Sequence, residues 1–434
     1  MCEFMCNNLS LCLGDDFKCF DESTSSRSPA FDLALTTRVL SVAGMESERG
    51  SPKWFGVDCN PATGTMKAEF DCPADAWFFA ASSADDFMPY SILMEIALQT
   101  CGILTSWNKA PLTMPSHNIL FRNLDATATL LQHMDLRGKT IVNVSTATGY
   151  SMMGTMGVQR FTTMLTVDGV DFYQVDSSFG WFIPEVFEKQ VGLDNGAVLG
   201  LWHARPENAK KIDAARAHNM LLPQDETDLL ATADLRPGEH SLQRRSAQVR
   251  FLDGALLVLG SGEFSQGYAH GFKMVDVRDW FFSCHFWCDP VMPGSLGIES
   301  MHQLLELYSI HAGLASGIRN PAFKHDLGKT LWKYRGQLTP KNKRLDVEVH
   351  VKQVKHEATC VTVIANGFLY VDELRVYSAT TLRLCITEGV TAAVDARCKS
   401  HAVPSLVPKS DFSSTSALTV HVSNAAALRS ALLK

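Results

Sequence analysis

A histidine and two glutamates occupy positions from which they could move protons. His285 lies in the aromatic-rich run WFFSCHFW, Glu299 follows in an apolar-periodic segment, and Glu95 lies in a similar segment about two hundred residues earlier. A neutral imidazole is a suitable base near pH 7, whereas a carboxyl group donates a proton there only if burial raises its pKa. These residue types suit general acid–base chemistry at a weakly acidic carbon.

A strand and a helix are expected to position His285 and Glu299. The aromatic run from Trp280 to Trp287 predicts a buried strand, and the apolar spacing from Leu296 to Tyr308 predicts a helix. The helix would begin near Gly294, where its free backbone N–H groups could stabilise developing negative charge. Gly294 is therefore a candidate donor to a substrate oxygen.

The segment around Glu95 repeats the one around Glu299. Aligning Met88-Pro89 with Met292-Pro293 brings three further pairs into register: Ser91 with Ser295, Glu95 with Glu299, and Gln99 with Gln303. In the first copy, Ala81 or Ser82 stands where a histidine would be expected. An internal duplication with one complete set of residues explains this better than chance.

Each copy of the helix precedes several alternating strands. Turn signals such as Asp168-Gly169 and Asn366-Gly367 separate them. The expected fold class is α+β, a double hot-dog in which two tandem antiparallel sheets each wrap around a long central helix. The predicted boundaries are a lead-in or linker at 1–27, a first hot-dog without a catalytic histidine at 28–203, a connector at 204–240, a second hot-dog with the histidine at 241–390, and a tail at 391–434.

Composition limits the classes of function. The chain has 434 residues, 46% of them hydrophobic, and a formal net charge of −7, so it lacks the strong basic field typical of nucleic-acid binding. No signal peptide or run of eighteen apolar residues is apparent, so no membrane span is expected and the twelve cysteines indicate free thiols in the cytoplasm. Cys284 and Cys288 flank His285 without a paired zinc-ligand spacing, so no metal is expected.

The run HFWCDPVMPGSLGIESMHQL, from His285, resembles the active-site segment of the β-hydroxyacyl-(acyl carrier protein) dehydratase/isomerase family, the β-hydroxydecanoyl type. That family's pattern is His-Phe-x-x-Asp-Pro-Val-Met-Pro-Gly-x-Leu-Gly. The segments KYRGQLTPKNKRLDVEVHVKQV, from Lys333, and GFLYVDELRVYSATTLRL, from Gly367, are similar to its later strands. Within the family, the resemblance is closest to the second tandem dehydratase unit of polyunsaturated fatty acid synthases, over most of residues 28–390.

The resemblance implies a hydro-lyase. It would convert (3R)-hydroxyacyl-(acyl carrier protein) thioesters to 2-enoyl thioesters, with isomerisation of the double bond left open. In this family each site is shared between two hot-dogs, which implies that His285 pairs with Glu95 and that Glu299 faces the vacant position of the first half. The helix acid is usually Asp in this type, and here it is Glu in both halves.

The resemblance also implies partners. The substrate would arrive on the phosphopantetheine of an acyl carrier protein, beside other domains of the synthase, with no cofactor of the enzyme's own. Because one chain already holds two hot-dogs, a monomeric pseudo-dimer is plausible. Two rival functions stay open: a hot-dog thioesterase that activates water with a helix carboxylate, and a non-catalytic module that binds carrier proteins.

Overall fold

The structure is a computed structural model. It describes residues 9–21, 23, 25–26, 28–44, 60–80, 87–209, 217–221, 250–286, 288–319 and 321–389. The predictions for Ala81 and Ser82, for most of the connector 204–240 and for the tail 391–434 lie outside the described residues. The predicted domain boundaries as a whole stay predictions.

Two long helices form the centre of the molecule. The helices are α1 (Leu9–Leu13), α2 (Lys18–Asp21), α3 (Trp77–Ala80), α4 (Tyr90–Trp107), α5 (Pro206–Ala209) and α6 (Gly294–His311). A proline immediately precedes both α4 and α6, and its fixed φ and missing N–H suit a helix start. Most residues of both helices are buried, as expected for helices enclosed by sheet on several sides. The helix predicted after Pro293 is confirmed.

The described strands form one antiparallel sheet. They are β1 (Arg38–Ala43), β2 (Thr65–Asp71), β3 (Leu120–Leu130), β4 (Thr140–Met153), β5 (Met156–Val167), β6 (Val170–Phe182), β7 (Ala217–Leu221), β8 (Gly254–Leu259), β9 (Gly267–Met274), β10 (Pro321–His325), β11 (Gly328–Tyr334), β12 (Arg344–His356), β13 (Cys360–Val371) and β14 (Leu374–Glu388). Their spatial order is β1-β2-β4-β5-β6-β3-β11-β14-β13-β12-β9-β8-β7, with β10 paired to β14.

This order is nearly symmetric about the β3–β11 pair. Strands β3, β6, β5, β4 and β2 on one side correspond to β11, β14, β13, β12 and β9 on the other. Strands β3 and β11 pair from Gly328 opposite Leu130 to Lys333 opposite Asp125, and this pairing joins the two halves into one sheet. Each half wraps around its own helix, and the two helices contact each other. The chain therefore has the predicted double hot-dog fold.

Two similar aromatic triplets, Trp77-Phe78-Phe79 and Trp280-Phe281-Phe282, meet at the junction of the two halves. The rings of Trp77 and Trp280 lie edge to face with centroids 5.5 Å apart. The strand predicted for 280–287 is wrong, because Trp280–Ser283 form a 3₁₀ turn. The turn buries Phe281 and Phe282 in the shared core, so packing between the halves overrides the extended preference of aromatic residues.

One of the two predicted hairpin turns is present. Asp168 and Gly169 have φ values of 53° and 78°, as a two-residue type I′ turn requires. The turn predicted at Asn366-Gly367 is wrong: β13 continues to Val371, and the chain turns at Asp372 and Glu373 instead. A Cβ on Gly367 would lie 2.6 Å from the sulfur of Met301 on α6, so this glycine lets the helix approach the sheet.

The N-terminal segment packs into the first half. Leu9, Phe17 and Phe20 are buried against Phe121 and Phe179 of its sheet. Ala30 N donates to the carbonyl of Cys284 at 2.8 Å. The described residues of this segment therefore connect the first hot-dog to the loop that carries His285.

Candidate active site

His285 is held as a neutral base with a defined tautomer. Its ring is buried and its Nδ1 lies 3.0 Å from the carbonyl oxygen of Val291. Because a carbonyl only accepts, Nδ1 carries the proton and Nε2 keeps its lone pair. Burial lowers the pKa of His285 to about 4, so the imidazole is uncharged at pH 7.

An ion pair between the two halves anchors the loop from His285 to Val291. Arg122, on β3, donates from Nη1 and Nη2 to the two oxygens of Asp289 at 2.6 and 2.7 Å. The Ser26 hydroxyl also donates to Asp289. Burial alone would raise the pKa of Asp289, but the attraction of Arg122 and these hydrogen bonds hold it below its ordinary value.

The sequence did not single out Arg122, the partner of Asp289. Asp289 is buried, the Arg122 side chain is 12% exposed, and each balances the charge of the other. No pattern within either segment signals this pairing, because the two residues lie 167 positions apart. Only the pairing of the two hot-dogs brings them together.

Glu95 is positioned by α4 and faces the start of α6. Its Oε1 accepts a hydrogen bond of 2.6 Å from the Ser295 hydroxyl, and its Oε2 accepts one of 3.3 Å from Gln99 Nε2. Burial raises the pKa of Glu95, and the two hydrogen bonds oppose that shift without cancelling it. The environment thus favours a protonated carboxyl group, which is what a proton donor needs.

Glu299 has the equivalent arrangement, related to that of Glu95 by a pseudo-two-fold axis. Ser91 donates to its Oε2 at 3.0 Å and Gln303 Nε2 donates to its Oε1 at 3.4 Å. The two glutamines also match, since Gln99 accepts from the backbone N–H of Leu35 and Gln303 accepts from that of Phe251. The residues that the sequence repeat aligns are therefore the ones that the pseudo-two-fold axis relates.

Gly294 is the first residue of α6, and only glycine fits there. A Cβ at this position would lie 2.5 Å from Cε2 of Tyr334. The aromatic ring thus covers the helix start, where backbone N–H groups have no carbonyl partner within the helix. A substrate oxygen could accept from these groups.

A cavity of about 660 Å³ brings three of the four predicted residues together. His285, Glu95, Gly294 and Ser295 all line it, and Glu299 does not. Its other walls are mainly apolar, with Phe121, Phe179, Trp181, Phe182, Phe187, Phe286 and Met292 among them. The cavity therefore offers a base, an acid and helix N–H groups beside space for a hydrocarbon chain.

In the first half, side chains fill the place that corresponds to the cavity beside Gly294. Tyr90 takes the place of Gly294 in the first half, and its ring stacks on His325 with centroids 3.6 Å apart. His325 Nδ1 in turn lies 3.3 Å from His302 Nε2. These rings occupy the space beside the start of α4. The residues aligned with His285 lie outside the described part of the chain.

Residues 245–380 match the family model described as a FabA-like domain. The matched residues lie in the second half of the chain and include His285, Gly294 and Glu299, whereas Glu95 lies in the preceding half. The site around the cavity is therefore built from the part similar to a FabA-like domain together with the first hot-dog.

A curated relative extends the similarity to most of the chain. It is a polyunsaturated fatty acid synthase subunit of Thraustochytrium sp. (strain ATCC 26185 / S-3), 51% identical over 399 residues, which cover 91% of this chain and 26% of that protein. The chain thus spans about a quarter of the length of this relative. The part similar to the synthase includes both hot-dogs.

Among solved structures, two dehydratase domains of the curacin polyketide synthase are similar. The domain from the CurJ module has a TM-score of 0.41 and 11% identity, covering 82% of this chain and 97% of that one. The domain from the CurF module has a TM-score of 0.39 and 11% identity, covering 83% and 99%.

The described residues show neither a membrane-spanning helix nor a metal site. None of the helices described is long and apolar enough to cross a membrane. Within the same residues, no group of three or more His, Cys, Asp or Glu side chains is arranged to hold a metal ion.

Proposed function

We propose that this chain dehydrates (3R)-hydroxyacyl thioesters carried on an acyl carrier protein, as one unit of a polyunsaturated fatty acid synthase. The observation that carries the proposal is that His285 and Glu95, from different halves, line one largely apolar cavity. The FabA-like domain and the 51% identity to part of such a synthase support this class of reaction.

The reaction would proceed by proton transfer at both ends of the C2–C3 bond. Nε2 of His285 takes a proton from C2, and the electron pair left behind forms the C2=C3 double bond. The C3–O bond breaks, and Glu95 gives its proton to the departing oxygen, which leaves as water. The N–H groups at Gly294 hold the thioester oxygen while negative charge develops on it. A proton then passes from His285 to Glu95 through solvent and restores both groups.

Every step uses a side chain, the backbone or the substrate, so we include no metal or organic cofactor in the proposal. The phosphopantetheine arm of the carrier protein would bring the thioester to Gly294. The same groups could also isomerise the product, if His285 moved a C4 proton while the acid protonated C2. A monomer suffices, because both halves of the site belong to one chain.

The cytoplasm is the proposed compartment. The cysteines at positions 19, 72, 101, 284, 288, 360 and 385 are free thiols, as a reducing environment leaves them.

Turnover of a hydroxyacyl thioester and its enoyl product, measured in both directions, tests the proposal. His285→Ala and Glu95→Gln should each lower kcat by about 10²- to 10⁴-fold, the usual contribution of a positioned acid or base. Glu299→Gln is the matched control, because it makes the same change in the same environment outside the cavity, and it should keep most of the activity. If Glu299 proves essential and Glu95 does not, the shared site is wrong.

The rival functions give different products. A thioesterase would release free carrier thiol without forming an enoyl thioester. A binding module would retain affinity for acyl carrier protein and turn over no chain length. Either result with the wild-type chain would replace the dehydratase proposal.

A further inference from the structure

Tyr334, the last residue of β11, has a buried hydroxyl group that the proposed reaction does not use. Its side chain is 7% exposed and lines the cavity beside Glu95 and His285. In the part of the chain that the structure describes, its Oη has no hydrogen-bond partner. Leaving a buried hydroxyl unpaired is costly, so a group that arrives only with a ligand is the natural partner.

The position of this hydroxyl restricts what that partner can be. Tyr334 Oη lies 3.0 Å from the place a Cβ on Gly294 would take, and the ring covers Gly294 itself. Thus the hydroxyl and the first N–H groups of α6 border the same space. Two donors this close to each other suit a single acceptor oxygen.

The hydroxyl stays protonated throughout the working pH range. Burial, with the nearby acidic groups of Tyr377 and Glu95, raises the pKa of Tyr334 well above its ordinary value. It can therefore donate a hydrogen bond but is unsuited to act as a base.

We infer that Tyr334 is a second donor to the thioester carbonyl oxygen, completing with the Gly294 N–H a two-donor site for the negative charge that forms when C2 loses its proton. This inference rests on the proposed dehydratase function and adds a residue to it. The ligand class is an acyl thioester, because the acceptor must be an oxygen bonded to the carbon next to C2.

Tyr334→Phe tests the inference, since it removes one oxygen atom and keeps the ring over Gly294. Tyr173→Phe is the matched control: Tyr173 is fully buried and does not line the cavity. In the full chain, Tyr334→Phe should lower kcat about 10²-fold with little change in KM, the usual effect of losing one such donor. Tyr173→Phe should leave both constants near the wild-type values.

The carbonyl stretch of a bound, saturated acyl-pantetheine thioester labelled with ¹³C at the carbonyl gives a readout that needs no turnover. Losing a donor should move this infrared band to higher wavenumber in Tyr334→Phe and leave it in place in Tyr173→Phe. An unchanged band overturns the inference even if kcat falls, because a merely structural role would produce that combination. If the wild type shows no dehydration, the proposed function fails, and the band shift still decides whether Tyr334 contacts the thioester.

Discussion

Ser295, in the first turn of α6, donates a hydrogen bond of 2.6 Å to Glu95 on the central helix of the other half. The pseudo-two-fold axis repeats this contact as Ser91 to Glu299 at 3.0 Å. The two bonds tie each helix start to the carboxyl group of the opposite helix. Only the first of these carboxyl groups borders the cavity that contains His285.

Ser295→Ala should change the pH dependence of turnover. The Ser295 hydrogen bond lowers the pKa of Glu95 against the effect of burial. Its loss raises that pKa further, so the alkaline limb of the kcat profile should move to higher pH. A shift on the order of one pH unit is expected, since a hydrogen bond of about 1.4 kcal/mol corresponds to one pKa unit.

Ser91→Ala provides the control for Ser295→Ala. It removes the equivalent bond to Glu299 and should leave the alkaline limb unchanged. Equal shifts in the two variants would show that Glu95 is not the group that titrates in this limb.

The kcat/KM profile of the wild type should be bell-shaped. His285 acts as a base only when neutral, so activity rises with pH through its lowered pKa of about 4. Glu95 acts as an acid only when protonated, so activity falls with pH through a pKa that burial has raised. Activity that declines already above pH 4.5, the ordinary pKa of glutamic acid, would contradict the assigned role of Glu95.

Asp289→Leu should destabilise the chain by about 3–5 kcal/mol, the usual cost of leaving one member of a buried ion pair alone. Here the unpaired charge would be that of Arg122, whose side chain is 12% exposed. The kcat should fall as well, because the loop carrying His285 loses its anchor. Chemical denaturation and turnover measure the two effects.

The double variant Arg122→Met/Asp289→Leu separates the ion pair from simple packing. It removes both charges and should recover most of the stability lost in Asp289→Leu. Strictly additive losses in the double-mutant cycle would mean that the two side chains do not depend on each other.

Tyr90→Ala should cost about 3–5 kcal/mol of unfolding free energy, the usual range for deleting a large buried aromatic ring. The physical reason is the cavity left where the ring stacks on His325. The kcat of the folded fraction should stay near wild type, because Tyr90 does not line the working cavity. Tyr90→Phe keeps the stack and should lose far less stability; a comparable loss of kcat in both variants would contradict the assignment of a single site.

Local sequence patterns determined the parts of the fold that repeat. The Met-Pro signal and the apolar spacing after it predicted α6 and, through the repeat, α4. The alignment of Glu95 with Glu299 predicted the register that the serine contacts now show. Helix periodicity is visible within a few turns of the chain, and the duplication is visible as a repeat about two hundred residues apart.

Two local predictions failed where packing between elements decided the backbone. Trp280–Ser283 turn instead of extending, because their aromatic rings enter the core between the two halves. Gly367 lies within a strand instead of a turn, because α6 needs the space of its missing side chain. Neither the core between the two halves nor the approach of α6 can be predicted from the sequence around these residues.

The sequence by itself determined which residues could do acid–base chemistry, namely His285 and the two aligned glutamates. Only the tertiary structure decided which glutamate shares a cavity with the histidine, and it added Arg122 and Tyr334 to the surroundings. Hydrogen bonds such as that from Ser295 to Glu95 join residues 200 positions apart. Contacts of that separation leave no periodic signal in either segment, and they form only when the two hot-dogs pair through β3 and β11.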